Sequence, residues 1–285
     1  MTCSLNDSHA SASAGGPSAM MRSPASQARR LAGENARDDF VPVRGWVRGA
    51  TLDLVPALRA VQKADVVDDV LEYAGDSVEF AERQLRKHGG RDPGGLNLQQ
   101  IAAFNLYTKE NVGNPEASFF RVLNTALSSM NCSEVLPFFG YLKLFIEGAR
   151  LLPNACPQDL WRAFPTLDPE WATVYPKDKE LFWWGFTSTT KDSDALSNPN
   201  FFGADGQRTL FLMHCVSGID ISAYSDFPEA EVLLMPGSKF VVEPWRRICL
   251  TACCKSSFTK LPGATTCSAR RATTKTHRAT GRLSS

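Results

Sequence analysis

Apolar residues follow a helical period in the first part of the chain and form short runs in the second. Between residues 65 and 152 they recur every three or four positions, which is the period of an α-helix. After residue 158 they form short runs separated by proline, glycine or aspartate, which is typical of β-strands. Because the helices precede the strands and do not alternate with them, the pattern predicts an α+β fold.

The helical part carries signals for four helical regions. The spacing predicts one or two helices over Asp65–His88, interrupted near Gly75 and ended by the Gly-Gly pair that follows. Asn97 is expected to cap a second helix, Pro115 suits the first turn of a third, and Ser133 is expected to cap a fourth. The residues predicted to face the core from these last three helices are Ile101, Phe104, Thr108, Phe119, Phe120, Leu123, Leu127, Phe138, Leu142, Phe145, Ile146 and Ala149.

Six short runs predict the strands, at residues 159–164, 180–189, 209–216, 219–221, 231–234 and 240–243. The segment Met235–Ser238 has turn composition, so residues 231–243 are expected to form a hairpin. Neither a GxGxxG nor a GxxxxGK[ST] motif is present in the sequence, and neither a Rossmann nor a P-loop nucleotide site is predicted.

Composition divides the chain into three parts. Residues 1–44 are rich in serine, alanine and glycine and predict a disordered leader, whereas residues 45–252 form the expected folded domain. Residues 253–285 predict a disordered basic tail, since from Lys255 onward there are seven Lys or Arg residues and no Asp or Glu. The net charge of the whole chain is only +1, so no nucleic-acid partner is expected.

The sequence also bears on membranes and redox state. It has no apolar run near the roughly 18 residues of a membrane span, and its first residues lack the apolar core of a secretory signal. The eight cysteines include no CxxC pair, so neither a zinc site nor a disulfide scaffold is indicated. This pattern favours a reduced, intracellular protein and points to no particular compartment.

Three polar segments interrupt strands that are otherwise apolar. Arg162 follows a tryptophan and is costly to bury without an anion, which a ligand or a nearby carboxylate can supply. The hydroxyl run Thr187–Thr190 ends an aromatic strand, where it can cap a turn or orient a ligand. Glu229 and Glu231 point to one side of an extended chain and repel each other unless a cation is near; a solvated strand edge is the alternative.

In this order and spacing, the three segments resemble the Arg–Ser–Glu signature of the arginine-specific, NAD(P)-dependent mono-ADP-ribosyltransferases. The likeness extends to a helix ending in Leu-Tyr-Thr at 106–108 and to a Leu-Asn-x-x-Leu helix at 123–127. It also includes FFGADGQRTLFLM and SGIDISAYSDFPEAEVLLMPGSKFVV, and spans roughly residues 50–243.

The resemblance implies a fold and an activity. The expected fold is the ADP-ribosyltransferase fold, in which a helical N-terminal lobe packs on two small β-sheets and an NAD cleft is formed. The expected activity is transfer of ADP-ribose from NAD to arginine side chains, with release of nicotinamide. NAD is then a co-substrate, no metal is required, and the partners are proteins with exposed arginines.

The resemblance also implies residue roles. Glu231 would stabilise the positive charge that builds at the anomeric carbon when the nicotinamide–ribose bond breaks, as carboxylates do in glycoside hydrolysis. Glu229 would hold the incoming guanidinium and take its proton, which requires a close carboxylate because the pKa of arginine exceeds about 12.

Four further residues are assigned to the NAD side. Arg162 would grip the pyrophosphate or ribose with its planar set of donors, and Ser188 would hold the nicotinamide ribose and orient the catalytic carboxylate. Thr189 and Phe202 are also expected to bind NAD. Tyr224 and Phe227 lie before the Glu-x-Glu pair and are expected to flank the target arginine.

The sequence departs from the family at three places and leaves two other functions open. Ala163 stands where glycine is usual, and Thr190 stands where serine is common, which keeps the hydroxyl group. The likeness also fades after Glu243, so that the final strand is either rebuilt from Arg247–Cys253 or missing. One alternative is an NAD glycohydrolase, in which water replaces arginine as the acceptor. The other is a non-catalytic NAD-binding or protein-interaction module.

Overall fold

The fold is that of a computed structural model of the chain. It describes residues 50–67, 69–111, 113–129, 131–156, 158–164, 175–192, 209–226, 231–243, 246–247 and 265–270. The predicted leader and most of the predicted tail lie outside these residues.

Within the described residues, six α-helices precede the first strand. They are α1 Leu54–Lys63, α2 Val70–Lys87, α3 Leu98–Thr108, α4 Phe119–Ser128, α5 Cys132–Val135 and α6 Phe139–Ala149, with 3-10 turns at Pro115–Ala117, Leu136–Phe138 and Ser222–Tyr224. Helix α1 was not predicted, although Leu54, Leu58 and Val61 line its buried side at helical spacing. The predicted break at Gly75 is wrong, because an 18-residue helix absorbs the roughly 1 kcal/mol that one exposed glycine costs.

The predicted helix starts were correct in one of three cases. Asn97 caps α3 with a full capping box, accepting from the Gln100 N–H at 2.9 Å while its own N–H donates to Gln100 Oε1 at 3.0 Å. Pro115 instead begins a separate 3-10 turn ahead of α4. Ser133 is not a cap, because Asn131 precedes it and accepts the Ser133 N–H.

The nine strands of the described residues form one hydrogen-bonded sheet, eight of them along a single path. They are β1 Gln158–Phe164, β2 Glu180–Trp183, β3 Thr187–Thr190, β4 Thr209–Cys215, β5 Ile219–Asp220, β6 Glu231–Leu234, β7 Ser238–Val242, β8 Arg246–Arg247 and β9 Thr265–Arg270. Their order is β2-β7-β9-β4-β1-β3-β6-β5, and β8 pairs with β9.

A single residue pair joins the two halves of this path. Strand β1 pairs with β4 over its whole length, but with β3 only at Trp161–Thr190. The two sheets expected from the family resemblance therefore correspond to β2-β7-β9-β4-β1 and β3-β6-β5, which meet at this pair. The junction lies directly beside Arg162 in the sequence.

The apolar side chains form two cores. Aromatic side chains of the helices, including Phe104, Tyr141 and Phe145, form one core with Phe186. Trp183 belongs to a second core on the sheet, with Phe211 and Phe240 among others. Burial of each such ring stabilises the fold by about 1.5–3 kcal/mol. The predicted single strand over 180–189 is thus wrong, because Trp184–Phe186 carries the chain from one half of the sheet to the other.

The predicted hairpin over residues 231–243 is also wrong. The turn itself forms, with Ser238 Oγ donating to the Met235 carbonyl at 2.7 Å and Gly237 at a φ of +76°. The flanking strands do not pair, however, because β6 lies between β3 and β5 whereas β7 lies between β2 and β9. Local turn composition cannot distinguish a hairpin from a turn that links the two halves of a sheet.

Strand β9 falls in the segment that was expected to be a disordered tail. It runs parallel to β4 over six residue pairs and antiparallel to β7 at Val241 and Val242. Its sequence, TTCSAR, has no alternation of apolar and polar residues, so backbone pairing on both sides holds it in place. The final strand is therefore supplied by residues 265–270 rather than by the expected Arg247–Cys253 segment.

A proline substitution tests this strand. We expect Ala269→Pro, which lies opposite both Met213 and Val242, to cost about 2 kcal/mol by removing a ladder hydrogen bond and crowding the pairing. The melting midpoint should fall by roughly 4–8 °C in a domain of this size. Thr273→Pro, three residues beyond β9, is the matched control. Equal midpoints for both variants would contradict the placement of β9.

Three further observations concern cysteines, membranes and metals. Cys132 takes part in a disulfide bond, which the irregular cysteine spacing did not indicate. Among the described helices, none is long and apolar enough to cross a membrane. The described part of the chain contains no group of three His, Cys, Asp or Glu side chains that could hold a metal ion.

Candidate active site

The three signature residues lie on three neighbouring strands. Arg162 is on β1, Ser188 on β3 and Glu231 on β6, which are adjacent in the sheet. All three side chains are half-buried. Residues far apart in the sequence, 26 and 43 positions from one to the next, are thus brought together at the junction between the two halves of the sheet.

The Arg162 guanidinium is held against the strand that carries the signature serine. Its Nη1 donates to the Ser188 backbone carbonyl at 2.6 Å. Burial lowers the pKa of Arg162 from its ordinary value, while the Tyr107 phenol and the Glu231 carboxylate nearby offset part of the lowering. A cation thus lies within electrostatic reach of the carboxylate, and this relieves the cost of burial that the sequence indicated.

Strand pairing turns Ser188 and Glu231 toward the helical lobe. Ser188 lies opposite Leu233, and Leu233 packs into the core of the helical lobe. Glu231, two residues before Leu233, lies on the same face because side chains alternate along a strand. The serine hydroxyl and the carboxylate therefore share the side of the sheet that faces the helices.

One helix residue contacts this group from the opposite side. Tyr107, at the C-terminal end of α3, is 2% exposed, and its phenol lies close enough to the Ser188 side chain for the two groups to interact. Burial raises the pKa of Tyr107, the Asn124 hydrogen bond lowers it, and the negative charge of Glu231 raises it further. Neither Tyr107 nor Asn124 was predicted to be a site residue, although both lie in helical motifs that carried the family resemblance.

Thr189 points away from this group. It is only 3% exposed, and its hydroxyl donates to the Val232 carbonyl at 2.6 Å. Its alternation with Ser188 places it on the opposite face of β3. The expected role of Thr189 in NAD binding therefore needs correction, because its hydroxyl fastens β3 to β6.

The segment before the Glu-x-Glu pair is fixed to helix α3. Asn105 Nδ2 donates to the Tyr224 carbonyl at 3.2 Å, and Lys109 Nζ forms an ion pair with Asp226 at 3.0 Å. The Tyr224 phenol donates to Asp92 Oδ2 at 3.0 Å. Tyr224 is thus only 5% exposed and committed to structural contacts, so its expected position beside a target arginine is wrong.

Three predicted site residues fall outside the described part of the chain. They are Glu229 and Phe227, assigned to the acceptor side, and Phe202, assigned to NAD binding. Asp226 and Glu231 are the described residues on either side of residues 227–230. Asp226 is held by its ion pair with Lys109, and Glu231 is held by strand pairing with Thr190.

The arrangement can bind a polar, anionic ligand beside a carboxylate. It offers a guanidinium for phosphate or ribose oxygens, a hydroxyl that can both donate and accept, and a carboxylate that can stabilise a developing positive charge. Arg162, Ser188 and Glu231 supply these three functions from separate strands, so that each is positioned by the sheet and not by a loop.

Comparison with solved structures identifies the fold. The eucaryotic mono-ADP-ribosyltransferase ART2.2 aligns over 78% of this chain and 86% of its own, with 18% identity and a TM-score of 0.50. A glutamate-to-alanine mutant of ART2.2 in complex with NADH aligns over 77% and 86%, with 17% identity and a TM-score of 0.50. The ADP-ribosyltransferase Vis of Vibrio splendidus, in complex with agmatine, aligns over 71% and 87%, with 16% identity and a TM-score of 0.46.

The sequence itself matches no protein-family model and no curated protein. The likeness to ART2.2 nevertheless shows that the chain has the ADP-ribosyltransferase fold, with a helical lobe followed by mostly antiparallel strands. The predicted α+β fold class is thereby confirmed.

Proposed function

We propose that this protein transfers ADP-ribose from NAD to arginine side chains of acceptor proteins and releases nicotinamide. The observation that carries the proposal is the convergence of Arg162, Ser188 and Glu231 from three adjacent strands. The order and spacing of these residues match the arginine-specific signature. ART2.2, which shares the fold, is a mono-ADP-ribosyltransferase, and one of its mutants has been crystallised with NADH.

The donor groups at the site fit the parts of NAD that must be held. Arg162 is a cation at a half-buried position, and its planar donors suit pyrophosphate or ribose oxygens. Ser188 offers a hydroxyl on the face shared with Glu231, which suits a ribose hydroxyl. Phe202 is proposed to stack near the nicotinamide on the basis of the sequence resemblance.

Glu231 acts on the bond that breaks. Departure of nicotinamide takes the bonding electron pair to the ring nitrogen and leaves positive charge on the ribose anomeric carbon. A fixed carboxylate in a partly desolvated site stabilises that charge more strongly than water does. Glu229 is proposed to hold the guanidinium of the acceptor, whose nitrogen forms the new bond to the anomeric carbon while a proton passes to this second carboxylate.

The test is an assay with NAD labelled in its adenylate part, with agmatine and a protein mixture as acceptors. Labelled agmatine and labelled arginines in the proteins, formed together with nicotinamide, are the expected products. Free ADP-ribose without labelled acceptor would indicate a glycohydrolase instead. No nicotinamide release together with saturable NAD binding would indicate a non-catalytic module and would end the proposal.

A further inference from the structure

We propose that Tyr107 and Asn124 are positioning residues, which together hold the Ser188 hydroxyl and its strand in the geometry that the reaction needs. The inference rests on the proposed function. It assigns a role to the Leu-Tyr-Thr and Leu-Asn-x-x-Leu motifs, from which these two residues come.

Asn124 connects helix α4 to both the tyrosine and strand β3. Its Oδ1 accepts the Phe186 backbone N–H at 2.8 Å, and its Nδ2 donates to the Tyr107 phenol oxygen at 3.3 Å. Phe186 lies two residues before Ser188. One carboxamide thus fixes the start of the strand that carries the serine and the orientation of the phenol that faces it.

Gly185 permits this close approach. A Cβ at position 185 would lie 3.0 Å from Asn124 Oδ1, which is tighter than ordinary contact. Any larger residue would push the carboxamide away from the Phe186 N–H. The Gly-Phe pair ahead of the Thr-Ser-Thr-Thr run therefore acts together with Asn124 in fixing the start of β3.

Tyr107 links this fixed geometry to Ser188. Its ring is fixed by edge contact with Phe186, at 5.3 Å between centroids, and by packing against Phe120 and Phe145. Because Asn124 donates to the phenol oxygen, the phenol hydrogen is not used in that contact and can be directed toward the neighbouring Ser188 side chain. The serine hydrogen can then be directed toward ribose or Glu231.

Ionisation does not interrupt this contact. Burial raises the pKa of the Tyr107 phenol above its ordinary value near 10, so the phenol keeps its proton throughout the neutral range. Tyr107 is thus a fixed donor and not an acid–base group. The pH profile of the reaction should keep its shape when the phenol is removed.

The variant Tyr107→Phe tests the role, because it keeps the ring packing and removes only the hydroxyl. We expect kcat for nicotinamide release to fall about fivefold, the effect of losing one neutral hydrogen bond, while KM for NAD changes less than about twofold. Tyr141→Phe is the matched control, since the Tyr141 phenol is also buried in the helical lobe and donates to the Ala103 carbonyl at 2.9 Å. Tyr141→Phe should lower the melting midpoint by a similar amount and leave kcat unchanged.

A double-mutant cycle on unfolding checks the contact without using activity. Tyr107→Phe combined with Ser188→Ala should lose clearly less stability than the two single variants lose in sum, because both remove the same contact. Additive losses would overturn the inference, as would an unchanged kcat in Tyr107→Phe or an equal fall in Tyr141→Phe. If the unmodified protein releases no nicotinamide, the proposed function fails, and the cycle alone decides whether Tyr107 holds Ser188.

Discussion

Glu231→Gln should lower both nicotinamide release and arginine modification by a hundredfold or more, since one preorganised electrostatic group contributes about 3–4 kcal/mol to a transition state. The substitution keeps the shape of the side chain and removes its charge. The backbone should be unaffected, because Glu231 is held there by pairing with Thr190 and by its carbonyl, which accepts the Ile221 N–H at 3.2 Å. The loss should therefore appear mainly in kcat.

Three measurements on one sample check this result: nicotinamide release, agmatine labelling and NAD titration. Binding of NAD should change little, because Arg162 and Ser188 remain in place. Glu79→Gln is the matched control, since its carboxylate is 74% exposed on α2 and contacts only the surface Arg83 at 3.8 Å. Near-normal nicotinamide release from the Glu231 variant would exclude the proposed mechanism.

The sequence could predict those parts of the site that a pattern within a single strand reveals. Arg162, Ser188 and Glu231 each interrupt an apolar run with a polar group, and burial of such a group demands a partner. Their convergence was inferred from the family resemblance, since no local pattern states which strands are neighbours. In the structure, β1, β3 and β6 are adjacent strands of the sheet, and this adjacency brings the three residues together.

The features that sequence reasoning missed depend on distant contacts. Thr189 belongs to the same hydroxyl run as Ser188, yet alternation along β3 turns it into the core. In the sequence, Tyr224 resembles an exposed loop residue, but Asp92 and Asn105 form hydrogen bonds with it from the helical lobe. Strand β9 has no apolar pattern at all and is defined by its pairing with β4, β7 and β8.

Tyr107 shows the same difficulty for the site itself. In the sequence it is one more apolar position at the end of a helix, and its aromatic contacts support that interpretation. Only the fold brings its phenol to the serine on β3, 81 positions along the chain. The hydroxyl of a buried tyrosine can have a functional role that the hydrophobic periodicity of its helix does not reveal.

Glu229→Gln should separate the two half-reactions, with arginine and agmatine modification lost and slow NAD hydrolysis retained. Only Glu231 is needed to break the glycosidic bond, and water can still enter the cleft. A guanidinium enters as a cation and must be held and relieved of a proton before it attacks, so it requires a second carboxylate. The flanking residues Asp226 and Glu231 keep their own contacts with Lys109 and Thr190, so the substitution should not displace the catalytic strand.

Glu229→Asp should give an intermediate result, because the charge remains while the acceptor is held about one bond length away, and misplacement of that size can cost about a hundredfold. Nicotinamide release and agmatine labelling are measured together on each variant, with Glu231→Gln as the reference in which both fall. If both activities also fall in Glu229→Gln, this residue acts on NAD and its assignment to the acceptor is wrong. If neither activity falls, the acceptor is not arginine, and a thiol, hydroxyl or nucleobase becomes the group to test against the same site.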